Sequence, residues 1–181
     1  MYRNGKINNY KIHRIVFAEL ENLSPGMSTI LAGFDCNFTF SKIEIVSPQT
    51  IEPLASLKNK SIHFPSLRKI NVEVAESMAK LNCKLLVLGI EAIDNESSFQ
   101  IFGTTSNLAL SNLQEVDNEN INQIIKRFQG RSISFSKAKS LSEHDQELLK
   151  KANFEYSRIN PDESAFGFLI ESRNYSRKPL K

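Results

Sequence analysis

The 181-residue chain has no tryptophan, two cysteines and three histidines, and each scarcity removes a class of function. Cys36 and Cys83 form no C-x-x-C pair and join no cysteine–histidine cluster, so the sequence encodes no zinc site. They read as core-lining thiols rather than nucleophiles, and nothing in the sequence argues for a disulfide between them. No Ser/His/Asp or Cys/His arrangement stands out. Walker-type loops and G-x-G-x-x-G are absent, which excludes ordinary P-loop and dinucleotide binding. No apolar run reaches the length of a membrane span, and the first residues, MYRNGKINNYK, are polar. These absences give the expectation of a soluble, cytoplasmic protein with no membrane association.

Charge of one sign is also lacking. Lys and Arg number 23 against 20 Asp and Glu, a net charge of +3, which does not by itself demand nucleic acid. The densest basic stretch is Arg173, Arg177, Lys178 and Lys181, a solvated terminus or a phosphate contact. The aromatics are 12 Phe and 4 Tyr. Phe38, Phe40, Phe99, Phe102 and Phe135 sit at strand spacing and read as core. A base-stacking platform needs exposed aromatics among cations, so nucleic acid is not the expected partner.

What is present is alternation of strands and helices, with no evident internal repeat. Ile12, Ile15, Val16, Leu20 and Leu23 share a helical side, predicting a helix over 11–23 that stops at Ser24-Pro25-Gly26. Asn37 to Val46 predicts paired strands with a phase slip at Ser41-Lys42. Pro48, Pro53 and Pro65 bracket an irregular connector. Leu67, Ile70, Val74, Met78 and Leu81 predict a helix opened by Arg68 and Lys69. Lys84 to Ile90 reads as a strand buried on both faces, forming a hairpin with Phe99–Phe102 across Asp94-Asn95. Asp117 caps a helix through Ile121, Ile124, Ile125 and Phe128 that Gly130 ends. Arg131–Ser136 is a strand, Ser142 with Asp145 caps a helix holding Leu148 and Leu149, Asn160-Pro161-Asp162 turns, and Ala165–Ile170 is a last strand. The expected class is α/β with a mixed sheet flanked by helices.

The stretch Phe64–Gly103 places cations beside a strand that ends in Gly-Ile-Glu, a geometry suited to phosphate. Its spacing to Asp35-Cys36-Asn37 and Glu52-Pro53-Leu54 carries a family resemblance. Asp35 to Phe128 resembles the diadenylate cyclase (DisA N-terminal, DAC) domain, with Leu67-Arg68-Lys69 at the family's Arg-His-Arg place. Glu76 lies seven residues beyond Lys69, and Val87-Leu88-Gly89-Ile90-Glu91 stands at the Ser-Glu-Glu strand. Cys36 and Asn37 replace the Gly and Ala of the family, and Leu67 and Arg68 replace its first Arg and its His. The chain is thus more similar to degenerate, DACNV-like sensor relatives.

The resemblance implies a DAC-like α/β domain over 11–128 and a small α/β extension over 129–181 that reports occupancy or docks a protein partner. It implies a non-catalytic sensor for an adenine nucleotide or small ligand in bacterial-type signalling. Arg68, Lys69 and Asp35 would hold the nucleotide and its phosphates, and Asp35 with Glu91 a residual metal. The alternative is an active cyclase forming cyclic di-AMP from ATP with Mn or Mg. A third reading is a protein-interaction or assembly domain with no ligand. The residues themselves leave plainer roles open: a turn or cap for Asp35, a loop start for Glu91, a solvated face for Arg68 and Lys69 with Glu73 and Glu76 as partners. His63 is a surface residue or a phosphate neighbour.

Overall fold

Six segments share one pattern: two apolar residues separated by one residue, then apolar residues three and six positions further on. Phe38, Phe40, Ile43 and Val46 follow it, as do Ile62, Phe64, Leu67 and Ile70, and Leu108, Leu110, Leu113 and Val116. Ile15, Ile133 and their successors repeat it, and Leu86, Leu88, Ile90 and Ile93 do so one residue shorter. Alternation over the first pair makes a strand with one buried face. The later apolar residues turn the chain over the end of the sheet and pin the turn to the core.

The computed structural model describes residues 13–93, 98–158 and 168–172. The six pairs form strands β1 (Arg14–Phe17), β2 (Asn37–Phe40), β3 (Ser61–Phe64), β4 (Leu85–Leu88), β5 (Asn107–Leu110) and β6 (Ser132–Phe135). They begin 22 to 25 residues apart and lie side by side in chain order, all parallel. Strands β7 (Phe154–Arg158) and β8 (Phe168–Ser172) complete an eight-stranded sheet, with β8 antiparallel to both β6 and β7. Helices α1 (Pro25–Leu31), α2 (Pro48–Ile51), α3 (Val72–Ala79), α4 (Asn118–Arg127) and α5 (Glu143–Lys151), with 3-10 helices over Glu52–Ser56 and Ser98–Gly103, connect the strands. The α/β class and the mixed sheet are as the composition and pattern suggest.

Each parallel unit of strand and returning helix contacts its neighbours, the construction of a solenoid. Hydrogen bonds recur at one unit's separation: Asn37 Nδ2 to the His13 carbonyl, Ser61 N to Asn37 Oδ1, Cys83 N to Ser106 Oγ and Asn112 Nδ2 to the Gly89 carbonyl. The core is a set of ladders. Phe17, Phe40 and Phe64 stack at 5.2 and 4.9 Å between centroids, and the same rung continues through Leu88, Leu110 and Phe135.

Burial alternates in every central strand. Phe38, Phe40, Ile62, Phe64, Leu86, Leu88, Leu108, Leu110, Ile133 and Phe135 are buried, while the residues between them are half-exposed. The helices therefore cover one face, and nothing covers the other among the described residues.

Several expected elements differ. Residues 14–17 are a strand where a helix was expected, because Ile15, Leu20 and Leu23 are spaced for a strand and a turn as well as for a helix. Ser24-Pro25-Gly26 starts a helix: the Ser24 hydroxyl accepts from Met27 N, and Pro25 stands in the first turn. Only residues 37–40 of the expected hairpin are a strand, and both neighbours of β2 are parallel. The proline-bracketed connector holds α2, a 3-10 helix and β3. Helix α3 starts at Val72 with Asn71 as its cap, so Arg68 and Lys69 lie in the coil before it. Leu85 and Val87 face the uncovered side, and β4 is not buried on both faces. Phe99–Phe102 is 3-10 helix, and β4 pairs with β5 instead. The chain does contain a repeat, which identity-based comparison misses because the positions share only apolar character. Helices α4 and α5 and strand β6 stand as expected, with Asp117 accepting from Asn120 N and Ser142 from Asp145 N. The turn at 160–162 lies outside the described residues, as does part of the last expected strand. One sheet runs through residue 128, since β5 and β6 pair directly.

Candidate functional site

Parallel strands give the sheet two rims. Strand-to-helix turns line one, and helix-to-strand turns line the other. Arg68, Lys69 and Glu91 lie on the first, in the turns after β3 and β4. Arg68 Nη1 donates to Glu91 Oε1 at 2.8 Å, with side chains 62% and 44% exposed, and Glu91 N donates to the Arg68 carbonyl. Lys69 is exposed. Asp35 lies on the opposite rim, in the turn before β2, and forms an ion pair with Lys60.

A four-residue strand separates the rims, about 13 Å at 3.3 Å per residue. Asp35 and Glu91 are displaced further by the two strand spacings between β2 and β4. Metal–oxygen bonds to Mg and Ca are about 2.0–2.6 Å long, so these carboxylates do not fit a shared ion. Arg68 has its counter-charge in Glu91. Glu73 is in the first turn of α3, and Glu76 is exposed on the same helix. An open groove on the same rim is lined by Glu21, Lys42, Glu44, Ile45 and Ser66, a mixed-charge surface rather than a phosphate cradle. Both thiols are buried, and burial pushes Cys36 and Cys83 above their ordinary range, away from nucleophilic use.

His63 is on neither rim. It projects from the middle of β3 onto the uncovered face, between Thr39 and the in-register Val87. Its Nε2 is enclosed, with no hydrogen-bond partner among the described residues. Burial first, and then the Arg14 charge, hold its pKa below the ordinary 6.5.

The fold assembles this uncovered face as a continuous surface. One row runs Arg14, Asn37, Ser61, Leu85, Asn107, Ser132, Glu171 and Glu155 across the eight strands. The next runs Val16, Thr39, His63, Val87, Ala109, Ser134, Leu169 and Ser157. Its middle holds no Asp, Glu, Lys or Arg and is partly exposed, with Arg14 on the β1 edge and Glu155 and Glu171 near the other. Reading each residue for its own chemistry passes over this surface, because none of these residues is distinctive alone. Its signal is the intervening position between paired apolar residues, recurring once per unit. Comparison of the chain with protein-family models, with curated proteins and with solved structures gives no match.

Proposed function

We propose that the chain is a non-catalytic interaction scaffold whose protein partner docks on the uncovered face of the sheet. The observation that carries this reading is a parallel sheet that the described residues cover on one side only. Parallel sheets are ordinarily covered on both faces, and solenoids are the architecture that keeps one face free and uses it for binding. The 22-to-25-residue unit of strand plus helix or 3-10 helix is similar in period to leucine-rich repeats, although Ile43, Leu67, Leu113 and Ala138 stand where those repeats carry Asn or Cys. The side chains that the middle strands present on this face, Ser61, His63, Leu85, Val87, Asn107 and Ala109, include no Asp, Glu, Lys or Arg. The nucleotide-sensor and cyclase readings need Asp35, Arg68, Lys69 and Glu91 around one ligand, and Asp35 lies on the opposite rim from the other three.

A photo-crosslinking residue at Ala109, on the uncovered face, is expected to trap a defined partner in cells, and one at Asn122, exposed on α4, is not. Val87→Arg should abolish the Ala109 product while leaving the melting temperature within a few degrees. Equal trapping from both positions, or none from Ala109, overturns the proposal. Thermal shift against ATP, ADP and cyclic di-AMP with manganese tests the other readings. A nucleotide at 100 times its Kd would stabilise the fold by about 2.7 kcal/mol. Such a shift, lost in Arg68→Ala with Lys69→Ala, would replace this proposal with the nucleotide sensor.

A further inference from the structure

The sheet ends in two unlike edges. β7 carries two charged side chains and no exposed large apolar residue, as strand edges guarded against pairing do. β1 reads Arg-Ile-Val-Phe, with one charge. Val16, Ile30 and Phe34, all in the unit that β1 opens, are three of the five exposed large apolar residues among the described residues. Solenoids ordinarily close their ends with a unit whose outer face is polar, and exposed apolar surface gathered at one end marks an interaction site.

The ladder fixes which backbone groups of β1 are spare. Asn37 N donates to the His13 carbonyl at 2.9 Å and Ser41 N to the Phe17 carbonyl at 3.0 Å, with Arg14 in register with Asn37 and Phe17 with Phe40. Alternate residues bond across a parallel pair, so 13, 15 and 17 serve β2. The N–H and C=O of Arg14 and Val16 point the other way, where no further strand lies among the described residues. Helix α1 packs against α2 and the 3-10 helix over Glu52–Ser56. Ile30 stands about 100° and 200° round α1 from its buried residues Leu31 and Ser28, so it is directed away from them.

We infer that β1 pairs with β1 of a second copy of the chain, antiparallel, about a two-fold axis normal to the sheet. The spare groups are self-complementary: two donors and two acceptors, two residues apart. Arg14 of one copy exchanges both bonds with Val16 of the other, and Val16 with Arg14, while Ile15 meets its own mate on the axis. Arg14 then stands opposite Val16 and not opposite its like, which would be unfavourable. A head-to-tail contact of β1 on β7 would meet the charged edge and leave an open filament, whereas the two-fold contact closes. The axis keeps both uncovered faces on one side, as one longer surface, so the contact is independent of what docks there.

The test is size-exclusion chromatography with light scattering on the full chain over a range of concentrations. The mass of two chains should appear at high concentration and fall to that of one on dilution. Val16→Pro removes one spare N–H and no ladder bond. It should give a single chain at every concentration, with the melting temperature within a few degrees. Should the proline disturb β1, Ile30→Glu reads the same contact from α1, with the same result expected. Ile45→Glu, the same change at an apolar residue exposed elsewhere, and Val87→Arg on the uncovered face should leave the pair intact. Mild oxidation should cross-link Ile15→Cys, whose mates lie about 4.5 Å apart between Cα atoms in such a pair, and should not cross-link Val16→Cys. A single chain at all concentrations, a pair unmoved by both Val16→Pro and Ile30→Glu, or cross-linking through Val16→Cys overturns the inference. Loss of the pair in Ile45→Glu or Val87→Arg overturns it likewise, since the contact would then lie away from β1.

Discussion

His63 is where a single residue ties the exposed surface to solution conditions. Its depressed pKa means that the unfolded chain binds a proton near the ordinary histidine value more readily than the native one does. Stability is therefore complete above that value and is lost as pH falls through the His63 pKa. Thermal melts between pH 7.5 and 5 should show a falling midpoint, and His63→Gln should flatten that part of the profile. An unchanged profile would mean that the imidazole is as solvated in the native state as in the unfolded chain. Gly89 shows a different residue-level constraint. A Cβ there would sit 1.9 Å from the Pro65 carbonyl oxygen, so the turn after β4 closes against its neighbour only without a side chain. The Arg68–Glu91 pair, being exposed on both sides, adds little to stability.

At the level of elements, the aromatic stack links three units. Phe40 is fully buried between Phe17 and Phe64, and no neighbour can collapse into its place without leaving its own rung. Phe40→Ala should cost about 3–5 kcal/mol, read as a lowered urea midpoint. A loss under 1 kcal/mol would indicate a stack that re-closes. The same elements explain what the sequence discloses. Helices α4 and α5 were legible because Asp117 and Ser142 cap them and their apolar residues keep one period throughout. Strand β3 was not, because Leu67 and Ile70, which pin the turn after it, stand three apart and run on by four-residue steps into the true apolar positions of α3, Val74 and Met78. Steps of three and four then read as one helix face, and Arg68 and Lys69 are carried with it. The grouping of Asp35 with Glu91 failed for another reason. Spacing along the chain does not say at which end of a strand a residue falls, and a four-residue strand puts its two ends on different rims.

Across the whole molecule, contacts pass from unit to unit, so stability is a sum over neighbours. The first unit has one neighbour among the described residues and exposes Val16, Ile30 and Phe34 at 54%, 68% and 49%. Native-state amide exchange should accordingly be slowest in β3 to β5 and faster in β1 and β7, with intermediate protection in β2 and β6. Uniform protection would instead describe a single cooperative block. The regular stacking also has a metric consequence. Every unit of 22 to 25 residues advances the sheet by one strand, about 4.8 Å. Gain or loss of a whole unit would lengthen or shorten the exposed surface in fixed increments without re-facing its side chains. The chain is in this sense a graduated ruler, whose exposed face can be set in length by duplication alone.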